Sequence, residues 1–429
     1  MNAQMQTLWT AARNAASQGN RGGQRQALEQ ILAIEPSNPQ ALNSMGIVAE
    51  AEGDYAAAQD YYARAAELDP KEPALWMNLA KAQRLAGEEV AELASLNRVL
   101  AIDQRHFMGR IRKAEWHERR GEDAKALADW TAVVQLAAGL DRASHPGLTP
   151  LLEHANAFIA ARAAVFEQTV TDHITASRQD KAPDSLRRFD AAMAASLGKR
   201  KIYHNECAGL YYPFLPTDEF FARHHFPWMA ELEEKSAAIR GELEALLDAG
   251  GDGFAPYVNM PAGTPANKWS ELDGSHRWDA CYLWKYGERK EAVAAKCPAT
   301  IAALEAIPAF HAPRRGPTAF FSLLRPGSHI PPHTGVSNTR SIVHLPLIIP
   351  ENCAFRVGGE TREWREGQAF VFDDTIEHEA WNRSEALRAV LIFDVWNPYI
   401  GEEERELLCA YWDAANASGL GPDDAETPF

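Results

Sequence analysis

Residues 333–398 read "HTGVSNTRSIVHLPLIIPENCAFRVGGETREWREGQAFVFDDTIEHEAWNRSEALRAVLIFDVWNP" and decide the fold of the C-terminal half of the chain. Apolar runs such as SIVHLPLII, CAFRV and LRAVLIFDVW, together with TAFFSLL just upstream, have the length and composition typical of β-strands. Gly358-Gly359 separates two runs and predicts a tight hairpin. Short antiparallel strands at this spacing favour a double-sheet jelly roll, also called a double-stranded β-helix.

Two histidines lie in segments that we expect to be loops, His333 in RPGSHIPPHTG and His378 in TIEHEAWNRSE. Arg388 follows His378 by ten residues and begins the last apolar strand. That distance is typical of jelly-roll oxygenases that bind 2-oxoglutarate, where a planar guanidinium pairs with a carboxylate. A lone histidine in a loop is more often solvated than a ligand. Two histidines with the spaced arginine together predict a metal site.

The N-terminal third of the chain carries a repeat with a period of 34 residues. PSNPQALNSMGIVAEAEGDYAAAQDYYARAAELD at 36–69 aligns without gaps on PKEPALWMNLAKAQRLAGEEVAELASLNRVLAID at 70–103. Glycines recur between the two amphipathic helices of each repeat, at Gly19, Gly53, Gly87 and Gly121. The period resembles the tetratricopeptide repeat, whose helical hairpins stack into a solenoid. Residues 1–138 are therefore predicted to form an array of about four repeats, with an unrelated helical bundle as the alternative.

The segment between these two patterns is predicted to be a helical connector. Residues 139–185 contain the helix-like LLEHANAFIAARAAVFEQTVTDHI and end in the polar SRQDKAPDS. The second domain is accordingly predicted to span 186–429, with helices flanking its sheets. The α-solenoid and the jelly roll together make an α+β multidomain chain.

Charge and cysteine usage exclude several classes of protein. The net charge of −16 disfavours a nucleic-acid-binding protein, because phosphate contacts need clustered Lys and Arg. The five cysteines are scattered and form no C-x-x-C pair, which indicates neither a disulfide framework nor a zinc ribbon. Neither a signal-peptide core nor a run of about 18 apolar residues occurs. We therefore expect a cytoplasmic protein that binds neither nucleic acid nor a membrane.

Residues 333–398 resemble the catalytic core of the aspartyl/asparaginyl β-hydroxylase family. The likeness extends upstream through AFFSLLRPGSHIPPHTG and RWDACYLWKYGERKEAVAAKCPATIAALEAIP, and covers residues 200 to about 410. Animal members of this family also place tetratricopeptide-like helices before the oxygenase domain. The resemblance implies an oxidoreductase that uses Fe(II), 2-oxoglutarate and O2.

The resemblance also assigns roles to five residues of the site. His333 and His378 would be the two protein ligands of Fe(II). Arg388 and Ser322 would hold the distal carboxylate of 2-oxoglutarate. His344 would lie near the keto-acid end of the cosubstrate.

Gly335 stands where many Fe(II) oxygenases place a third, carboxylate ligand. The resemblance implies that the family uses two histidines and no ligating carboxylate. A nearby carboxylate could offset the extra positive charge of the iron. Asp374 is the candidate and Asp373 the alternative, because alternation along a strand points the two in opposite directions. Arg340 matches a family arginine that grips the carboxylate of the substrate. A second family arginine is absent from this chain.

Ile342 occupies the position of that absent arginine, two residues before His344. The predicted reaction is hydroxylation of the β-carbon of Asp or Asn residues in a protein or peptide, with release of succinate and CO2. The repeat array would engage that protein. Alternatives are the same iron chemistry on a small molecule or lipid acyl chain, and halogenation, in which chloride would bind beside Gly335. A non-catalytic repeat scaffold is the remaining alternative.

Overall fold

The computed structural model describes residues 3–140, 146–178, 186–251 and 253–419. The chain divides into two compact units, Met1–Lys181 and Ala182–Phe429. The end of the predicted connector, residues 179–185, and the last ten residues of the predicted second domain lie outside the described residues.

The first unit is helical throughout its described part. Eight helices form four consecutive hairpins, and a longer helix follows: α1 Ala3–Ser17, α2 Arg21–Ile34, α3 Pro39–Ala51, α4 Tyr55–Leu68, α5 Pro73–Ala86, α6 Glu89–Ile102, α7 Phe107–Arg119, α8 Asp123–Ala137 and α9 Leu148–Ser177. The first eight are the predicted repeat helices, and α9 lies in the predicted connector.

Local sequence explains why these helices begin and end where they do. The Asn38 side chain accepts a hydrogen bond from the Ala41 amide at 2.9 Å, which caps α3 at its N-terminus. Pro39 then occupies the first helical turn, where its missing N–H is not needed. Gly53 and Gly87 end α3 and α5 with φ angles of 82° and 81°, a left-handed conformation that favours glycine. Each repeat is therefore one capped helical hairpin.

The second unit surrounds antiparallel strands with short helices. Its strands are β1 Ala255–Pro256, β2 Trp278–Lys285, β3 Glu288–Arg289, β4 Ala319–Leu324, β5 Ser328–His333, β6 Arg340–Ile348, β7 Cys353–Val357, β8 Glu360–Glu363, β9 Phe370–Phe372, β10 His378–Asn382 and β11 Arg388–Trp396. Its helices are α10 Arg187–Ser196, α11 Met229–Glu234, α12 Ser236–Asp248, α13 Glu291–Ala294, α14 Pro298–Glu305 and α15 Glu402–Ser418.

These strands form two sheets. The seven-stranded sheet has the order β1-β2-β4-β11-β6-β9, with β3 paired to β2, and the four-stranded sheet has the order β5-β10-β7-β8. Gly358 and Gly359 form the two-residue turn between β7 and β8, whose flanking residues Val357 and Glu360 pair directly. The predicted hairpin is thus present in an all-antiparallel arrangement.

Alternation along β11 separates a core face from a cavity face. Ala389, Leu391 and Phe393 pack into a hydrophobic core that also contains residues of α12 and α14. Val390 and Ile392 point the other way and pack in a separate cluster with residues of β2 and β4. Because side chains alternate with a period of two, the polar ends of this strand, Arg388 and Asp394, share the face of Val390 and Ile392.

The two segments predicted to be histidine-bearing loops instead contain strands. RPGSHIPPHTG includes β5, and TIEHEAWNRSE includes β10. Pro331 and Pro332 favoured a turn, but β5 is an edge strand, where proline is tolerated because one side of the backbone needs no ladder hydrogen bond. The prediction of loops was therefore wrong, and His333 and His378 lie on paired strands.

Candidate active site

A cavity of about 780 Å³ lies in the second unit and is lined by residues of both sheets. The four-stranded sheet contributes His333 and His378, whereas the seven-stranded sheet contributes Arg340, His344 and Arg388. Ser322 is fully buried beside Arg388 and hydrogen-bonds to it. The structure thus brings the predicted site residues together around one cavity.

His333 and His378 face each other across β5 and β10. They are direct partners in the strand register, and their ring centroids are 4.0 Å apart. Nδ1 of His333 donates to the Pro331 carbonyl at 2.8 Å, and Nδ1 of His378 donates to the Ile376 carbonyl at 3.0 Å. These backbone contacts favour the Nδ1–H tautomer, which leaves the lone pair on Nε2 of both rings.

Both imidazoles are held in the neutral form that binds metals. Burial lowers the pKa of His378 to about 4. The pKa of His333 lies well below its ordinary value, first because of burial and second because of the charge that His378 would carry. Two neutral imidazoles with Nε2 lone pairs suit Fe(II) as well as other first-row metals. Among the described ranges, no group of three or more His, Cys, Asp or Glu side chains is arranged to hold a metal ion.

The space next to Gly335 is taken by Asp374. The Gly335 amide donates to the Asp374 carbonyl at 2.6 Å. A Cβ added to Gly335 would lie 2.1 Å from Oδ2 of Asp374, a distance that real Cβ atoms do not show. A carboxylate therefore lies beside this position, but Asp374 supplies it from the segment between β9 and β10.

Asp373 and Asp374 point in different directions. The carboxylate of Asp373 accepts hydrogen bonds from the Thr375 amide at 3.0 Å, from the Thr375 hydroxyl at 2.6 Å and from the Asn205 side chain at 2.7 Å. Asp374 lines the cavity. Burial raises the pKa of Asp374, and the nearby charge of Arg340 opposes this shift. Of the two candidates, Asp374 lies in the cavity and Asp373 stabilises the turn.

Arg388 is a buried guanidinium without a carboxylate partner among the residues that the structure describes. Only 1% of its surface is exposed. Its Nη1 donates to the Ser322 hydroxyl at 3.1 Å and its Cζ lies 4.5 Å from the centroid of the Trp364 ring, but its Nε has no hydrogen-bond partner. Burial lowers the pKa of Arg388 to about 9. Such a site is suited to a carboxylate ligand.

Sequence reasoning missed the two tryptophans that position this arginine. Trp364 provides the aromatic face, and Nε1 of Trp278 donates to the Ser322 hydroxyl at 3.1 Å. Trp278 is the first residue of β2, where Ala280 pairs with Ser322. No spacing in the sequence marks Trp364, because it lies in the irregular segment between β8 and β9.

His344 lies on β6 in an aromatic environment. Its ring centroid is 4.8 Å from that of Phe355 and 5.0 Å from that of Phe372. Its pKa is well below the ordinary value because of burial and because of the positive charge of Arg388. Nδ1 of His344 is buried and has no hydrogen-bond partner in the described structure. The His344 ring is thus neutral, and its Nδ1 makes no hydrogen bond to the described residues.

Arg340 lies between two buried aspartates. Its Nη2 is 3.5 Å from Oδ2 of Asp374, and its Nη1 is 3.6 Å from Oδ2 of Asp394. Burial raises the pKa of Asp394 to about 7. Sequence reasoning missed Asp394, although strand alternation from Arg388 would have placed it on the cavity face. The arginine predicted to grip a substrate carboxylate therefore already faces two carboxylates of the protein.

Within the described residues, no helix is long and apolar enough to cross a membrane. All five cysteines are free thiols.

Comparison with known proteins adds family relationships to this geometry. The family described as Aspartyl/Asparaginyl beta-hydroxylase matches residues 233–398, and the Tetratricopeptide repeat family matches residues 39–82. The chain is 40% identical over 134 residues to the human protein "Aspartyl/asparaginyl beta-hydroxylase", a match that covers 31% of this chain and 18% of that protein.

A bacterial relative is matched over a larger share of its length. The chain is 34% identical over 219 residues to "Ornithine lipid ester-linked acyl 2-hydroxylase" of Rhizobium tropici, which covers 50% of this chain and 71% of that protein. Among solved structures, a MamA protein matches 42% of this chain and 98% of its own length, with 16% identity and a TM-score of 0.32. With a tetratricopeptide repeat region followed by an antiparallel sheet unit, the chain belongs to the aspartyl/asparaginyl beta-hydroxylase family, a family of hydroxylases.

Proposed function

We propose that the second unit is a jelly-roll dioxygenase that depends on Fe(II) and 2-oxoglutarate and hydroxylates the β-carbon of Asp or Asn residues in a protein or peptide. In the balanced reaction, 2-oxoglutarate, O2 and a substrate C–H bond give succinate, CO2 and a C–OH group. One oxygen atom enters succinate and the other enters the product. The two facing sheets and their shared cavity support the jelly-roll architecture.

The observation that carries this proposal is the buried guanidinium of Arg388, which has no carboxylate partner among the described residues and lies in the same cavity as the His333–His378 pair. Burying a charge without a partner is costly, and an anionic ligand would offset that cost. The distal carboxylate of 2-oxoglutarate would pair with Arg388 and accept a hydrogen bond from the Ser322 hydroxyl. His344 would lie alongside the cosubstrate, where its Nδ1 could find a partner.

The donor set fits Fe(II). His333 and His378 would hold the ion through Nε2, since their Nδ1 atoms are engaged by backbone carbonyls. When bound, the iron would supply the activation of O2 that couples decarboxylation of the cosubstrate to C–H hydroxylation. Asp374 would place a negative charge next to the ion from the segment between β9 and β10, rather than from position 335 itself.

The position of Asp374 also bears on halogenation. A halogenating enzyme would need room and a favourable potential for chloride beside Gly335. The Asp374 carboxylate already fills the volume that a Cβ at Gly335 would enter. A second anion in contact with this carboxylate is electrostatically disfavoured, so we favour hydroxylation.

A protein is the substrate we favour. Tetratricopeptide repeats stack into extended surfaces that engage other proteins, and this chain carries such an array. We propose that the array binds the substrate protein, which would contribute binding energy away from the reacting carbon.

A lipid acyl chain is the second candidate, because part of the cavity wall is aromatic. Tyr257 stacks on Trp278 at 4.0 Å and on Phe320 at 5.4 Å between ring centroids, and the Tyr282 ring is 5.1 Å from Phe320. Such a wall could line an acyl chain. The rhizobial relative is named as an acyl hydroxylase.

The test is formation of succinate from 2-oxoglutarate by the full chain with Fe(II) and O2, in the presence of either Asp/Asn peptide libraries or acylated lipids. Added oxygen on peptides, detected by mass spectrometry, is the expected result. The His378→Ala variant should lose succinate formation, whereas His311→Ala, at an exposed position, should retain it. Oxygen added only to lipids would favour the second candidate, and succinate formation by His378→Ala would contradict the metal site.

A further inference from the structure

The hairpin of β2 and β3 lies at the open end of the cavity, away from Arg388. Strand β2 begins at Trp278, which hydrogen-bonds to Ser322 beside Arg388, and it ends at Lys285. The two ends of this strand are seven positions apart, which places their backbones about 23 Å apart at a rise near 3.3 Å per residue. Lys285 is exposed and also lines the cavity, so the cavity opens to solvent at this end.

The tip of this hairpin carries an aromatic residue in a backbone conformation that disfavours it. Lys285 and Glu288 pair directly across the turn. The two residues between them, Tyr286 and Gly287, have φ angles of 53° and 86°. Such a type I′ turn prefers Asn or Gly at its first central position, where this chain has Tyr. The Tyr286 ring contacts the neighbouring cation: Nζ of Lys285 lies 5.7 Å from its centroid and 5.0 Å from that of Tyr282.

Arg314 lies on the segment that packs against the hairpin tip. The Tyr286 amide donates to the Thr318 hydroxyl at 3.2 Å. The Gly287 amide donates to the Pro317 carbonyl at 2.9 Å. Arg314 also has a positive φ angle, 58°, and lines the cavity. Residues held in this costly conformation are concentrated at ligand sites, and two of them meet at the open end of this cavity.

The open end has an excess of cations on a chain whose net charge is −16. Lys290 pairs with Glu288 at 2.8 Å, so these two charges balance each other. Lys285 and Arg314 are exposed and have no carboxylate partner among the residues that the structure describes. Charges more than about 8 Å away are largely screened at physiological salt, so a ligand at this end responds mainly to these two cations.

The deeper part of the same end has the opposite balance of charge. Asp374 and Asp394 face the single cation of Arg340, which leaves a net negative charge when both aspartates are ionised. An anionic group of a substrate is therefore repelled from this cluster and attracted to Lys285 and Arg314. The preferred position of such a group is the open end, away from the reacting carbon.

We propose that Lys285 and Arg314 bind an acidic side chain of the substrate peptide, so that Asp or Asn residues with a Glu or Asp nearby in sequence are preferred. This inference rests on the proposed β-hydroxylation of residues in a peptide. The Arg314 guanidinium can pair with both oxygens of a carboxylate, and Lys285 supplies a second cation. A carboxylate is the anion that peptide side chains carry without modification.

The experiment is a competition between three peptide pools in one reaction with the full chain, Fe(II), 2-oxoglutarate and O2. Every pool has Asp or Asn, in equal amounts, at one fixed position and uncharged randomised flanks. One flanking position, taken in turn along the peptide, is Glu in the first pool, Gln in the second and Lys in the third. Mass spectrometry measures the ratios of oxygenated peptides between the pools. A ratio taken within one sample does not depend on the folded fraction.

The wild type should favour the Glu pool over the Gln pool by at least about threefold at the best flanking position, because an exposed ion pair contributes a factor of about 1.4 to 5 and two cations act together. The ratio should fall towards one as salt is added. Lys285→Gln/Arg314→Gln should lose the preference, and Lys285→Glu/Arg314→Glu should favour the Lys pool over the Glu pool. The control Lys296→Gln/Arg383→Gln removes the same charge from exposed positions outside the cavity lining and should keep the wild-type ratio.

The outcomes separate this inference from the proposed function. A wild-type ratio below about threefold, or one that salt does not lower, would overturn the preference and leave β-hydroxylation in place. A wild-type ratio kept by both double variants at Lys285 and Arg314 would overturn the role of these residues. Succinate formation without oxygen added to any pool would overturn β-hydroxylation itself. Oxygen added only to an anionic acylated lipid, supplied in a parallel reaction, would assign the two cations to a lipid headgroup and overturn the preference for acidic peptides.

Discussion

Replacing Arg388 by methionine should separate cosubstrate binding from folding. Methionine keeps much of the side-chain volume but removes the charge. The variant loses the hydrogen bond from Arg388 to Ser322, which contributes about 1 kcal/mol, and the contact with Trp364, which contributes about 0.5–2 kcal/mol. It also removes the buried guanidinium. Burial lowers the pKa of this group to about 9, which shows that burial disfavours its charged form. These effects oppose each other, so stability without ligand should change by no more than about 1 kcal/mol.

Binding of 2-oxoglutarate should respond much more strongly. Removing one partner of a desolvated charge pair costs about 2–5 kcal/mol, which corresponds to a loss of affinity of about 30-fold to several thousand-fold. Titration under anaerobic conditions with Fe(II) measures this affinity, and thermal unfolding with and without 2-oxoglutarate measures the accompanying stabilisation. Arg383→Met, at an exposed position, is the control. A loss of affinity below about tenfold, or roughly 1.4 kcal/mol, would refute the assignment of Arg388 as the anchor.

Three further predictions concern Gly335, Asp394 and the repeat array. Gly335→Ala should destabilise the protein by about 1–3 kcal/mol, because the new Cβ would collide with Asp374. The control Gly241→Ala, in α12 with no atom within 4 Å of the new Cβ, should not destabilise it. Denaturant unfolding measures both variants, and equal stabilities would mean that Asp374 does not lie beside Gly335. The folded-state pKa of Asp394 is raised to about 7 from 3.8, so the folded state binds more protons and stability should fall as pH rises between these values. Asp394→Asn should make that fall less steep, and an identical pH profile would contradict the raised pKa. A chain beginning at Leu186 should still convert 2-oxoglutarate to succinate but should oxygenate a protein substrate less efficiently, as measured by kcat/KM on the intact protein; equal efficiency would leave the array with another role.

The repeat array could be predicted well because its signals are local. A gapless period of 34 residues and turn glycines such as Gly53 and Gly87 act within one hairpin, so the sequence alone indicates each helix pair. The strands β5 and β10 could not be predicted in the same way. Pro331 and Pro332 read as a turn until β5 is known to be an edge strand, and edge position is a property of the assembled sheet.

The site shows the same division between local and long-range information. The spacing of His378 and Arg388 was visible in the sequence, and period-two alternation already indicated that Asp373 and Asp374 point apart. The proximity of Gly335 and Asp374 was not predictable to this precision, because the two residues lie 39 positions apart and meet only when β5 and β10 pair. The pairing of Arg340 with Asp394 likewise requires β6 and β11 to be neighbours.

The two ends of strand β11 carry opposite net charge along the cavity wall. Arg388, at its start, is a cation without a carboxylate partner among the described residues, whereas Asp394, six residues later, belongs to a cluster in which two carboxylates face one arginine. A dicarboxylate is attracted to the first end and repelled from the second, so 2-oxoglutarate should enter in one orientation with its distal carboxylate on Arg388. The His333–His378 pair would then face the keto-acid end, and the region near Asp394 would be left to the substrate. The single replacement Arg388→Met should therefore weaken binding of 2-oxoglutarate to the extent given above without redirecting the cosubstrate to Arg340, whose charge the two aspartates already balance.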